Sequence, residues 1–296
     1  MNCSNCGSQN TADSQFCARC GIKLLTDSEQ NPSLESTPVD SEYPQPNPIS
    51  PKGSDQQSTF SPVSIVQLIA QTLAIYIGSF KLIIRIVLIA QIPFLISPFV
   101  PDNTVVALAL TLIGLFTGLL ASAATAYIVA QYCLQRQTTL VSCYVAVMDN
   151  GISLLVNALI FASALFVGFL LSLAIIGLPL LIFVAVAWFF YIQAVVIEKK
   201  GPFEALARSW HLVQGQWFRV FGRVLVLVLI LFVVGFITSL PGLAVMTSNV
   251  SLGNLLLTLG GTLVTPITYI GATLIYFDLR VRKEGFTLET LESEMR

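Results

Sequence analysis

From Pro62 onward the chain alternates between long apolar runs and short polar breaks. Six of these runs have the length of a bilayer-crossing helix, about 17–25 residues. They fall near Leu82–Phe99, Thr104–Ala130, Ile152–Ile176, Leu178–Ile197, Val220–Leu240 and Leu252–Phe277. The breaks stand at Pro101-Asp102-Asn103, at Gly177-Leu178-Pro179 and from Pro241-Gly242 onward. Between Gly151 and Ile197 there is no charge, so Gly177 and Pro179 alone mark the hairpin between the third and fourth spans. An amphipathic stretch precedes each pair of spans, near Ile65–Ser79, Val141–Leu155 and Phe203–Trp217. In the third, helical spacing puts Phe203, Leu206, Ala207, Trp210, Val213, Gln214 and Trp217 on one face and Glu204, Arg208 and His211 on the other. Such helices lie in the membrane interface, with aromatic rings at headgroup depth. The pattern predicts an all-α polytopic membrane fold with about six transmembrane helices and three interfacial helices, repeated as three helix-plus-hairpin units.

Charge gives this bundle a direction. Of the 296 residues, 55% are hydrophobic and only 10% charged, against about 25% in a soluble globular domain. All fifteen Lys and Arg fall on one side of the predicted topology, and Asp102 is the only charge in the opposite loops. The bias toward basic loops on the cytoplasmic side places both termini in the cytosol of a cell whose plasma membrane holds the chain. No apolar run of signal-peptide length opens Met1–Phe60.

The first residues read differently. Cys3-Ser4-Asn5-Cys6-Gly7 and Cys17-Ala18-Arg19-Cys20-Gly21 form two CxxC knuckles. Together Cys3, Cys6, Cys17 and Cys20 can supply a tetrahedral all-sulfur shell, the arrangement Zn²⁺ adopts in closed structural sites. A disulfide framework requires an oxidising compartment, and a redox CxxC sits at a helix start in a larger fold. An iron–sulfur cluster would also accept four thiolates. Zinc is the reading these residues favour. Arg19 and Lys23 are the only bases nearby, so the basic patch that phosphate recognition requires is missing and nucleic acid is not an expected partner. Residues 26–61, rich in Pro, Ser and Gln with six acidic side chains, lack the apolar surface to fold. The expected domains are therefore a zinc ribbon at 1–25, a disordered linker at 26–61 and a multi-pass domain at 62–296.

Two resemblances attach to these features. The two knuckles resemble the short zinc-ribbon family found at the N-termini of prokaryotic membrane and secretion-related proteins, which is specific for metal rather than for function. The stretches VIEKKGPFEALARSWHLVQGQWFRVFG (Val196–Gly222) and IYFDLRVRKEGF (Ile275–Phe286) resemble the membrane domain of bacterial glycerophosphoryl diester phosphodiesterases. That family's catalytic barrel is not found here, and no pair of acids with a histidine stands in for it. Enzymatic activity is not expected to carry over.

Individual candidates follow. His211 is the only histidine, and without ligand partners it reads as a solvated or headgroup-facing residue. Lys199, Lys200, Arg208, His211, Arg219 and Arg223 make a basic cluster that either binds anionic headgroups or only sets topology. Asp278, Arg280, Arg282 and Glu284 offer an Arg280–Glu284 helical pair, or docking partners for the third interfacial helix. Packing of that helix into the bundle would make Trp210 a stronger anchor than Arg208. Cys133 and Cys143 read as apolar filler, and the Asn249-Val250-Ser251 sequon is discounted in a prokaryotic family. Gln91, Asn157 and Gln193 are the strongest polar residues inside spans, and Gly260-Gly261 with Pro266 invite a break in the last one. The function expected is a non-enzymatic scaffold or regulator whose ribbon contacts a cytosolic protein. The alternative is a transporter or channel for a small neutral or lipid-like substrate, which internal repeats suit, although no charge stands mid-span.

Overall fold

The computed structural model describes residues 62–100, 103–172 and 177–296, all in one unit, Ser58–Arg296. The ribbon cysteines Cys3, Cys6, Cys17 and Cys20, the linker at 26–61, positions 101–102 and the end of the third span at 173–176 lie outside the described residues. The helices are α1 (Ile65–Gly78), α2 (Phe80–Ile96, extended by a 3₁₀ turn at Ser97–Phe99), α3 (Thr104–Cys133), α4 (Leu140–Met148), α5 (Gly151–Ser172), α6 (Gly177–Ala187), α7 (Tyr191–Ile197), α8 (Glu204–Val213), α9 (Trp217–Met246), α10 (Val250–Glu284) and α11 (Leu288–Glu294). Six segments are long and apolar enough to cross a membrane: Phe80–Phe99, Thr104–Cys133, Gly151–Ser172, Gly177–Ile197, Trp217–Met246 and Val250–Glu284. The protein is an all-α, multi-pass membrane fold. Its spans form three hairpins, α2–α3, α5 with α6–α7, and α9–α10, each introduced by a short amphipathic helix, α1, α4 or α8.

Local chemistry starts these helices. Ser64 with Gln67, and Thr139 with Ser142, form reciprocal capping boxes at α1 and α4, satisfying donors that a helix start leaves open. Asn103 caps α3, and Asn249 caps α10 by accepting from the Leu252 amide. Two boundaries differ from the sequence reading. The fifth span runs through Pro241 to Met246, and the chain turns at Thr247-Ser248-Asn249. A proline inside a membrane helix removes one donor but leaves the helix intact where its neighbours absorb the change. The second amphipathic stretch splits at Asp149-Asn150, so that α4 ends at Met148 and Gly151 already belongs to the span. Pro266 likewise stays within α10 without breaking it.

Each short helix packs against the second span of the preceding unit: α4 on α3, α8 on α7, and α1 on α10. The first two contacts are between chain neighbours. The third joins the two ends of the membrane unit and closes a ring. The repeat is also written in side chains. Tyr-Ile-X-Ala stands on each second span, at Tyr127–Ala130, Tyr191–Ala194 and Tyr269–Ala272. The buried Thr72, Cys143 and Ser209 each stand eleven residues before the first buried side chain of the next span, Ile83, Leu154 and Val220.

Burial concentrates at one end. On α3 it runs from Leu120 to Gln131, on α7 from Tyr191 to Ile197 and on α10 from Ile270 to Arg280. With 35 residues α10 is roughly 52 Å long at 1.5 Å per residue, well beyond the ~30 Å hydrocarbon layer. The excess projects at the basic end of the bundle, and α1, α4 and α8 form a collar around it. At the opposite end α9 and α10 lie in close contact: a Cβ on Gly260 would stand 2.7 Å from the Thr238 carbonyl oxygen, so only glycine fits that crossing.

Candidate functional site

The collar leaves α10 as the axle of the basic end, and two clusters of buried charge are built on its last turns. In the first, Asp278 is almost fully buried. Its carboxylate accepts from the Val63 amide at 2.8 Å, from Arg223 of α9, and from Arg282 Nε at 2.8 Å. Arg223 and Arg282 each also donate to the Val63 carbonyl at 3.1 Å. One residue ahead of α1, Val63, is thus held at its N–H by a carboxylate and at its C=O by two guanidinium groups. This clasp closes the ring.

The second cluster lies across the axle. Glu198, at the end of α7, accepts from Arg208 Nε of α8 at 2.8 Å and from the Tyr276 hydroxyl. Arg280 Nε approaches the same carboxylate at 3.4 Å. Arg208 also reaches Glu284 with both terminal nitrogens, the Nη2 bond being 2.7 Å. Arg280 forks onto Glu294 of α11 with two 2.7 Å bonds and stacks over Phe286, 3.9 Å from the ring centroid. Burial alone would lower the pKa of Arg208, but Glu284 and Glu198 hold it above its ordinary value. The αL conformation of Gly285, φ 65°, turns the chain back so that α11 can present Glu294. Lys283 caps the end of α8, donating to the carbonyls of His211 and Gln214.

A neutral contact supports the same corner. The fourth span breaks at Trp188–Phe190 between α6 and α7, and the fully buried Ser209 of α8 bridges the break. Its hydroxyl accepts from the Phe190 amide at 3.1 Å and donates to the Ala187 carbonyl at 2.8 Å.

These partners revise several expectations. Arg208 and Arg223 are paired inside the protein and do not belong to a free headgroup-binding cluster, whereas Lys199 and Arg219 are exposed. Asp278 pairs with Arg223 and Arg282 rather than with α8; Glu284 does meet Arg208. The Arg280–Glu284 pair exists, at 3.5 Å, but is secondary to Glu294. The buried face of α8 is Ala205, Leu206, Ser209, Leu212 and Val213, while Phe203, Ala207, Trp210 and Gln214 are exposed. Trp210 and Trp217 instead flank Phe183 of α6 at the rim. His211 is exposed, and its carbonyl accepts from Lys283. Cys143 is a buried free thiol whose pKa burial pushes up to about 11, against weaker opposing bonds from Thr138 and Ser142. Among the described residues no group of three His, Cys, Asp or Glu could hold a metal ion. Sequence reasoning missed Glu198, Ser209, Tyr276 and Glu294. Glu198 carried a signal, being an acid set against Lys199 and Lys200 at the end of a span.

A cavity of about 690 Å³ opens beside the clasp, walled by Gln71 and Ile75 of α1, Tyr132 of α3, Phe277 and Asp278 of α10, and Leu288 of α11.

Residues 59–279, from ahead of the clasp to just beyond Asp278, match a domain of unknown function, DUF7847. The chain belongs to the DUF7847 family. Residues 2–24 separately match a zinc-ribbon domain, and all four cysteines Cys3, Cys6, Cys17 and Cys20 fall within that match. Neither match is to the phosphodiesterase membrane domain. No curated protein and no solved structure matches the chain. The DUF7847 match takes in Val63, Arg223 and Asp278 of the clasp, whereas its fourth member, Arg282, lies just beyond the match, as do Arg280, Glu284 and Glu294.

Proposed function

We propose that the chain is a non-enzymatic membrane scaffold or regulator that presents a zinc ribbon to a cytosolic protein. The observation that carries this reading is the use made of the buried charges. Arg208, Arg223 and Arg280 pair with carboxylates of other elements and Arg282 braces Asp278 within α10, which suits a rigid anchor better than a site that moves protons or substrate. The clasp on Val63 fixes the membrane unit immediately after the stretch expected to tether the ribbon. The chemistry of the donor set, four thiolates in two CxxC pairs within a zinc-ribbon match, fits one Zn²⁺ held by Cys3, Cys6, Cys17 and Cys20. The metal would supply the fold that so short a segment cannot build from apolar burial. The basic end faces the cytosol of the plasma membrane in this reading, and both termini lie there. The two stretches likened to the phosphodiesterase membrane domain, Val196–Gly222 and Ile275–Phe286, supply Glu198, Arg208 and Ser209 on one side and Tyr276, Asp278 and Arg280 on the other. Their meeting builds the corner at which α7, α8 and α10 are joined.

The test compares the wild-type chain with a Cys3→Ser/Cys6→Ser variant, both captured from solubilised membranes and analysed by quantitative mass spectrometry. A soluble protein retained by the wild type and lost from the variant, at equal membrane abundance, is the expected result. Identical partners for both chains, or uptake of a solute by vesicles carrying the variant as well as the wild type, would overturn the scaffold reading.

A further inference from the structure

A second groove, about 890 Å³, lies on the far side of Tyr132, between the α1–α2 turn, α3 and the α3–α4 connection. Its charged lining is Lys81 and Arg136, with no acidic side chain among the described residues that form it. Polar groups come from Ser79, Gln137 and Thr138, and Ile77, Phe80 and Leu82 make an apolar wall where α1 passes into the span. Lys81 has no ion-pair partner among the described residues, unlike the bases turned into the bundle, and Arg136 is held only from outside, by Glu292 of α11 at 2.7 Å with both side chains two-fifths exposed. In the third unit, the end of the amphipathic helix is occupied by this chain's own Lys283. In the first unit none of the described residues that line the groove fills it in this way.

We propose that this groove seats an anionic phospholipid of the surrounding leaflet, with its phosphate between Lys81 and Arg136 and an acyl chain along Ile77, Phe80 and Leu82. The depth is right for such a ligand. Lys81 opens α2 just where the span begins, so its ammonium lies at headgroup level, and its stem can run along the apolar wall. Two bases facing one phosphate gain from the low dielectric of the interface, whereas a zwitterionic headgroup brings its own cation into the pair and gains less. Free phosphate has the charge but no chain for the wall, and should bind far more weakly.

The experiment uses the full chain in a neutral detergent. Thermal unfolding is followed with added phosphatidylglycerol, phosphatidylcholine or inorganic phosphate. Phosphatidylglycerol alone should raise the midpoint, and Lys81→Gln/Arg136→Gln should shift the half-saturating lipid concentration upward about tenfold or more. Lys199→Gln/Lys200→Gln should leave the lipid response unchanged. Equal responses to phosphatidylglycerol and phosphatidylcholine, or a response that survives the Lys81/Arg136 substitutions, would overturn the proposal. Should the double variant fail to fold, a photoactivatable phosphatidylglycerol on the wild type decides the matter. Cross-links within residues 76–82 and 128–138 support the seat, and cross-links confined to other segments refute it.

Discussion

Glu198 stands beside Lys199 and Lys200 in the chain yet pairs with neither; its partners, Arg208, Tyr276 and Arg280, come from two other helices. A carboxylate so buried is stable only while paired, since removing the counter-charge leaves an ion in low dielectric. Arg208→Ala is therefore expected to destabilise the detergent-solubilised protein by about 3 kcal/mol or more, seen as a fall in the unfolding midpoint. Trp210→Ala, at a rim position, should do less. This reverses the order expected from the amphipathic pattern, which placed Trp210 on the inner face. The pattern erred because Ala205 and Ser209 share the buried face of α8 with Leu206, Leu212 and Val213, and a helix that packs closely hides alanine and serine while its tryptophan stays at the edge. Residue chemistry also sets a pH expectation at Cys143. With a thiol pKa of about 11, its reaction with a thiolate-selective reagent should be negligible at pH 8 and rise only as pH approaches 11. Fast labelling of the folded protein at neutral pH would contradict the burial described for it.

At the scale of elements, the three collar helices place a small polar group at one repeat position and use it differently. Thr72 donates to the Leu68 carbonyl of its own helix, whereas Ser209 bridges the break between α6 and α7. Ser209→Ala leaves a buried amide and carbonyl without that partner and should cost about 1–3 kcal/mol. Thr72→Val keeps the shape and should be nearly neutral. Comparing the two variants by thermal unfolding tests whether repeat position or hydrogen-bond partner decides the effect. Much at this scale was legible in the sequence. Period and run length give the spans and the amphipathic helices, because both depend only on neighbours along the chain. The break at Trp188–Phe190 left no such mark, since apolar residues continue through it and the group that stabilises it lies on α8. Pro241 marked a break that did not occur. The actual turn was announced more quietly, by the capping residue Asn249.

For the whole molecule, the sequence gives the sign and side of each charge but not its partner. The ion pairs join positions as far apart as Arg136 and Glu292, and only the packed ring decides them. The two separate family matches suggest a modular prediction. Removing zinc with a chelator should abolish the metal content carried by Cys3, Cys6, Cys17 and Cys20 while leaving the unfolding midpoint of the membrane unit within experimental error. A matching loss of midpoint would show that the two parts are energetically coupled. Reporter fusions at Arg136, Lys200 and Arg296 should all report the cytosolic side, and one at Thr247 the opposite side.

The clasp at Val63 also sets an order of events in biosynthesis. The helices α4 and α8 follow directly on the spans they pack against, so each can dock as it leaves the ribosome. The first of the described helices to emerge, α1, must wait for the last span, because Asp278 and Arg282 on α10 hold the residue ahead of it. Until translation reaches that point the nascent protein carries an open seam with an unmated amphipathic helix. A chain cut short before Asp278 would keep the seam exposed, giving a quality-control protease a direct way to tell an unfinished molecule from a finished one.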